Sequence, residues 1–243
     1  MSIEAGRTTL RQRRALALIA ACAGLLLAVL ALPRIAGHAM LLPHGAVREA
    51  LDRGTVVEPA RLEAAHAALA RAGAWLPGDA AIPRDRARVA RRLARLSDDP
   101  ETADRLIEAA AADLRAAAAA APADGFTWAL LADTEIAAGK PVEAVLPALR
   151  LARLTAPRRA STILLTHGIV MRHWETMPAE MRAYATDDIT QLWRRRDLRP
   201  LLVETYLDAG FAARAAFRAR LGEDPRALQQ FDKALSEAAG GGR

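Results

Sequence analysis

GFTWALLADTEIAAGKPVEA, residues 125–144, sets Trp128, Leu131 and Ala132 ahead of Gly139 and Ala144 in a chain otherwise dominated by Ala, Leu and Arg. Asp124, just before it, has the side chain of a helix N-cap, and Gly139 suits the left-handed residue that ends a helix. The stretch therefore predicts a helix from Gly125 to Ala138, a tight turn, and a second helix carrying Ala144. Its neighbours show whether it is one unit of a repeat. Ala110, Leu114 and Pro122 have the spacing of Ala65, Leu69 and Pro77, of Val145, Leu149 and Pro157, and of Ala213, Phe217 and Pro225. Ala72, Ala117 and Ala152 add a small residue seven after the first, where the last unit has Arg220. Pro122 and Pro157 lie 35 residues apart, and Pro157 and Pro225 lie 68 apart, close to two periods of about 34.

That pattern resembles the tetratricopeptide repeat, in which a Trp, a Leu and a small residue on a first helix pack against small and aromatic residues on a second. Trp128, Leu131 and Ala132 match the first helix, Gly139 the turn, Ala144 the small contact and Pro157 the terminal Pro. The resemblance implies an all-α, helix-turn-helix superhelix over residues 59–238, with Trp128 buried between its own pair of helices. It also implies a partner-binding groove lined by first helices. Here the stripe opposite Trp128, made of Phe126, Ala129, Asp133 and Ile136, is expected to face that groove. Two features depart from the pattern. Pro147 lies inside the expected second helix, and the 45 residues from Pro77 to Pro122 exceed one period, with the loop at SDDPE (97–101) absorbing the excess.

Composition agrees with helices throughout. Apolar residues make up 52% of the 243, enough for a core, whereas aromatics reach only 4% and Ala runs such as AAAADLRAAAAAAP (109–122) favour helix over sheet. Pro59 opens a run to about Trp75, Asp99, Asp124, Asp197 and Asp224 are placed as N-caps, and Gly139, Gly210 and Gly222 as left-handed ends.

The amino terminus reads differently. Residues 15–32, ALALIAACAGLLLAVLAL, contain no polar or charged side chain and span roughly the hydrocarbon thickness of a bilayer at about 1.5 Å per residue. Arg7, Arg11, Arg13 and Arg14 precede this run and only Arg34 follows closely, so the positive-inside rule puts residues 1–14 in the cytoplasm and the bulk of the chain outside it. The expected location is a bacterial inner membrane, crossed once, with the remainder periplasmic. Alternatives are a lipidated Cys22 after IAAC and a secretory signal cleaved near Gly37 and Ala39. Residues 33–58, broken by Pro33, Gly37, Pro43, Gly45 and Gly54, read as a juxtamembrane linker with at most a short turn at 47–53, and residues 239–243 as a flexible tail.

Half of the net charge of +6 sits in the first fourteen residues, which argues against nucleic acid as a partner. Cys22, the only cysteine, lies in the apolar run, leaving neither disulfide nor thiolate metal ligand beyond it. His167 and His173 are six apart, off the four-residue spacing that brings two imidazoles to one metal, and AAGKP (137–141) lacks the glycine-rich run and the hydroxyl of a phosphate loop. Ser97 and Ser161 sit in no nucleophile elbow, and the pairs Asp98–Asp99 and Asp187–Asp188 read as a cap and a solvated face. Trp174 and Trp193 read as core. The Arg runs RRLAR (91–95) and WRRR (193–196) read as solvated faces, or as contacts to anionic lipid or an acidic partner. The chain is thus expected to be a non-enzymatic scaffold in envelope assembly that binds another envelope or membrane protein, with no cofactor and no metal. The general look is also similar to membrane-anchored helical-repeat proteins of bacterial envelope-polysaccharide machinery, and the alternative reading is an accessory factor that binds or acts on glycans.

Overall fold

Side chains that lose little entropy in a helix dominate every segment, and among the described residues they fold into twelve α-helices and one 3-10 turn, Arg196–Leu198, with no strand. This computed structural model describes residues 2–240, except for the side chains of residues 2–14 and Pro33. The Arg7 to Arg14 cluster and tail residues 241–243 therefore lie outside the description. The chain forms two compact units, Met1–Val89 and Ala90–Arg243, divided inside one helix.

In the amino-terminal unit α1 runs Ser2–Met40, α2 Leu42–Arg53 and α3 Pro59–Trp75, followed by the first half of α4, Ala81–Leu96. The side chains of residues 15–32 are exposed, and Ala15–Met40 is apolar and long enough to cross a membrane. Residues 33–58 are not the largely non-helical linker expected of them. α1 continues through Pro33 and Gly37, and α2 occupies most of the rest. Packing overrides the local breakers: Gly37 is buried against the end of α3, and a Cβ there would lie 2.5 Å from Leu76 Cγ. Pro43 falls in the first turn of α2, where no N–H donor is needed, and Gly54, at φ 70°, ends that helix. Buried His44 on α2 lies 3.3 Å from Asp85 on α4, tying the two helices together.

The second unit contains the rest of α4, then α5 Pro100–Ala120, α6 Gly125–Ala137, α7 Val142–Thr155, α8 Ala160–Arg172, α9 Ala179–Trp193, α10 Arg199–Asp208, α11 Phe211–Gly222 and α12 Pro225–Gly240. From α5 onward, consecutive helices pack on one another. In addition, α6, α8, α10 and α12 contact in succession and α9 contacts α11, so the helices alternate between two layers. Between the layers Tyr206, Phe217 and Phe231 stack edge to face or tilted, with centroids 4.9–5.4 Å apart. Trp193 meets Phe231 at 5.6 Å and is buried, and Trp174 packs partly buried against the same core.

The repeated spacing has a structural counterpart. Ala65 and Leu69, Ala110 and Leu114, Val145 and Leu149, and Ala213 and Phe217 are all essentially inaccessible to solvent. The helices α3, α5 and α7 end alike: Leu76, Ala121 and Ala156 leave the helical region, and their N–H groups donate to the carbonyls of Ala72, Ala117 and Ala152. Pro77, Pro122 and Pro157 favour these ends, since helical dihedrals are disfavoured in the residue before a proline. A fifth unit, hidden in the sequence by the absence of a closing Pro, is α9, where Ala185, Ile189 and Leu192 are buried at the same offsets.

Several local expectations need correction. Asp99, Asp124 and Asp224 cap helices as expected, but Asp197 lies within the 3-10 turn and pairs with Arg195. Gly139 is left-handed at φ 83°, whereas Gly210 is extended as the N-cap of α11 and Gly222 stays in its last turn. Pro147 does not end α7. It lies on the exposed face in the second turn, where water can satisfy the carbonyl of Glu143 that loses its donor.

Candidate functional site

Helix α6 is enclosed on several sides within the second unit, with α5, α7 and α8 all packed on it. Close approach begins at its first residue: a Cβ on Gly125 would lie 2.6 Å from both the Ala152 carbonyl oxygen and the Ala156 Cβ, so only glycine fits against the end of α7. Gly139 then turns the chain so that α7 folds back.

The stripe Phe126, Ala129, Asp133, Ile136 does not form one open face. Phe126 is partly buried beneath the Arg159 guanidinium, 5.3 Å from the ring centroid. Ala129 is fully buried, and Ile136 packs partly buried on the core formed by α7, α8 and α9. Asp133 remains the polar member, its side chain 13% exposed. Trp128 is only partly buried, with Nε1 donating to the Pro122 carbonyl at 2.8 Å, while Leu131 and Ala132 fill the interior. The Trp thus closes an edge of the helix pair rather than filling its centre.

Asp133 is a junction of three helices. Its Oδ2 accepts from Arg91 of α4 and its Oδ1 from Arg172 of α8 at 2.8 Å. Arg95, one turn beyond Arg91, lies within electrostatic reach of Asp133 but makes no ion pair with an acid among the described residues. Its proton affinity falls below the usual guanidinium range through burial first and the charges of Arg91, Arg92 and Arg172 next, with Asp133 opposing. His173, the C-cap of α8, has its pKa pushed down by burial and then by Arg172. The other acids of α6 are also engaged: Glu135 accepts from Lys140 at 2.8 Å and from Arg115, and Asp124 from Arg159 at 3.1 Å. RRLAR is therefore no uniformly solvated face, because Arg91 is buried. Its bias was visible in the sequence, but the convergence of Arg172 depends on how α8 packs.

A second polar group lies inside the second unit. His167 is buried; taking Nδ1–H as the donor to the Ala185 carbonyl at 3.1 Å leaves buried Nε2 without a partner. Burial, helped by Arg153, lowers its pKa to about 4 against the opposing effect of that hydrogen bond. Arg153 donates to buried Asp188 at 2.6 Å, yet burial outweighs the pairing and lifts the Asp188 pKa to about 6. Among the described residues no group of three or more His, Cys, Asp or Glu is placed to hold a metal ion.

No family model matches the chain, and neither a curated protein nor a solved structure shows significant similarity to it. Fold and site thus define an all-α protein that carries, ahead of its packed helices, one apolar helix long enough to cross a membrane.

Proposed function

We propose that the chain is a single-pass anchored adaptor of tetratricopeptide-repeat type, with residues 1–14 cytoplasmic and its helical array in the periplasm, where it binds another envelope protein as a non-catalytic scaffold. The observation that supports this reading is the recurrence of buried Ala or Val, Leu or Phe and Ala at fixed offsets, with three helices ending alike. Such units stack into layers that offer an extended face without requiring a reactive centre. The continuity of α1 from its apolar stretch into its packing on α3 adds that the anchor is held against folded protein rather than through a slack tether.

The test is site-specific crosslinking in native membranes. Crosslinkers at exposed positions of α4, α6 and α8, such as Arg95, Ala137 and Arg172, should capture one defined protein, and crosslinkers on the far layer, at Arg150 or Glu180, should not. Capture with no preference between layers, or none from either, refutes the adaptor reading.

A further inference from the structure

We propose that Arg91, Arg95 and Arg172, grouped around Asp133, form a binding site for a phosphate-type oxyanion. Two guanidiniums share a single carboxylate, its two oxygens divided between Arg91 and Arg172, and Arg95 stands within electrostatic reach of all three groups. Each of those arginines commits one terminal nitrogen to Asp133, leaving its other N–H groups unmatched by any acid among the described residues. Arg92 adds a fourth positive charge next to Arg95, and its Nε is buried without a partner. Four positive charges thus lie near one carboxylate, with Arg91 buried and both Arg95 and Arg172 open to water.

The arrangement suits an anion in geometry as well as charge. Asp133 holds two guanidiniums from different helices in fixed orientations, and planar guanidinium forks match phosphate oxygens through paired, charge-assisted hydrogen bonds. Arg91 is buried at the base, while Arg172, 39% exposed, and exposed Arg95 leave access from solvent. The excess of positive over negative charge favours phosphate, which carries between one and two negative charges near neutrality, over a singly charged carboxylate. The site lies on the face of α4, α6 and α8 proposed for partner binding, but phosphate binding is measured without that partner. A free phosphate and a phosphorylated head group present the same chemistry to it.

Calorimetric titration of the full chain in zwitterionic nanodiscs with inorganic phosphate, at ionic strength held constant with chloride, tests the proposal. Saturable binding is expected in the wild type. Arg95→Gln, which breaks no ion pair among the described residues, should weaken it by about tenfold or more, the size of a lost charge-assisted contact. Arg218→Gln, which removes an equal charge on α11, should leave it unchanged. Repeating the titration in discs containing phosphatidic acid separates the sources: loss of phosphate binding there assigns the site to a head group, and unaltered binding assigns it to a soluble phosphate. The proposal is overturned if the wild type shows no saturable binding, or if Arg95→Gln and Arg218→Gln weaken it equally.

Discussion

Gly125 has no room for a methyl group, so Gly125→Ala forces the start of α6 away from the Ala152 carbonyl. Although Ala is the better helix former, the substitution should destabilise the second unit by about 1–3 kcal/mol, as overpacking does, measurable by denaturant unfolding. Trp128→Ala should lose less than the ~3–5 kcal/mol of a fully buried aromatic, because the ring is only partly covered. His167 and Asp188 make opposing contributions with pH. The folded state holds a proton on Asp188 up to about pH 6, whereas the unfolded chain releases it near 3.8, so this group adds stability as the pH falls through that window. His167 does the reverse: the unfolded chain takes up a proton near 6.5 and the folded state only near 4, so stability is lost on acidification. Each effect reaches about 2–3 kcal/mol at most, and in the wild type they largely cancel. Relative to wild type, Asp188→Asn should lose stability between pH 7 and 4, and His167→Gln should gain it. Parallel pH profiles in urea titrations would contradict this account.

At the level of helices, the decisive pattern is a buried residue pair four apart followed by a proline that ends the helix. Leu114→Ala, at the second position of that pattern in α5, should cost about 2–5 kcal/mol, the range for a fully buried Leu. Pro147 is the exception that tests the helix itself. It is exposed inside α7 and its missing N–H leaves one carbonyl without a donor, so Pro147→Ala should stabilise the protein. The gain should be about 1–3 kcal/mol, the helix-interior penalty of proline less the unfolded-state entropy that proline removes. An unchanged or lower midpoint would mean that the proline holds a bend the packing needs. Much of this level was legible in advance: the caps at Asp99, Asp124 and Asp224, the turn at Gly139 and the helix ends before Pro77, Pro122 and Pro157 depend on neighbouring residues. Asp197, Gly210 and the helical run through Gly37 were misread because distant packing, not local preference, decides them. α9 escaped notice because its buried residues keep the spacing but lack the proline.

For the whole molecule, the apolar stretch and the helical array make separate predictions. If Ala15–Met40 anchors the chain, the protein should remain in the membrane pellet after carbonate extraction, and a reporter fused after Arg243 should read out on the periplasmic side. Release into the supernatant would remove the anchor, and a cytoplasmic reporter signal would reverse the proposed orientation. The sequence by itself determined the helical class, the apolar stretch, most helix ends and the residues buried at repeating offsets, because each rests on spacing within a turn or two of chain. Only the tertiary structure decided that α6 is enclosed by α5, α7 and α8, so that Ala129 and Ile136 are covered and Trp128 lies at an edge. It also decided that Arg91 and Arg172, 81 positions apart, meet on Asp133. Their meeting is set by how three helices pack, and a charge records nothing in the sequence about which distant charge it will face.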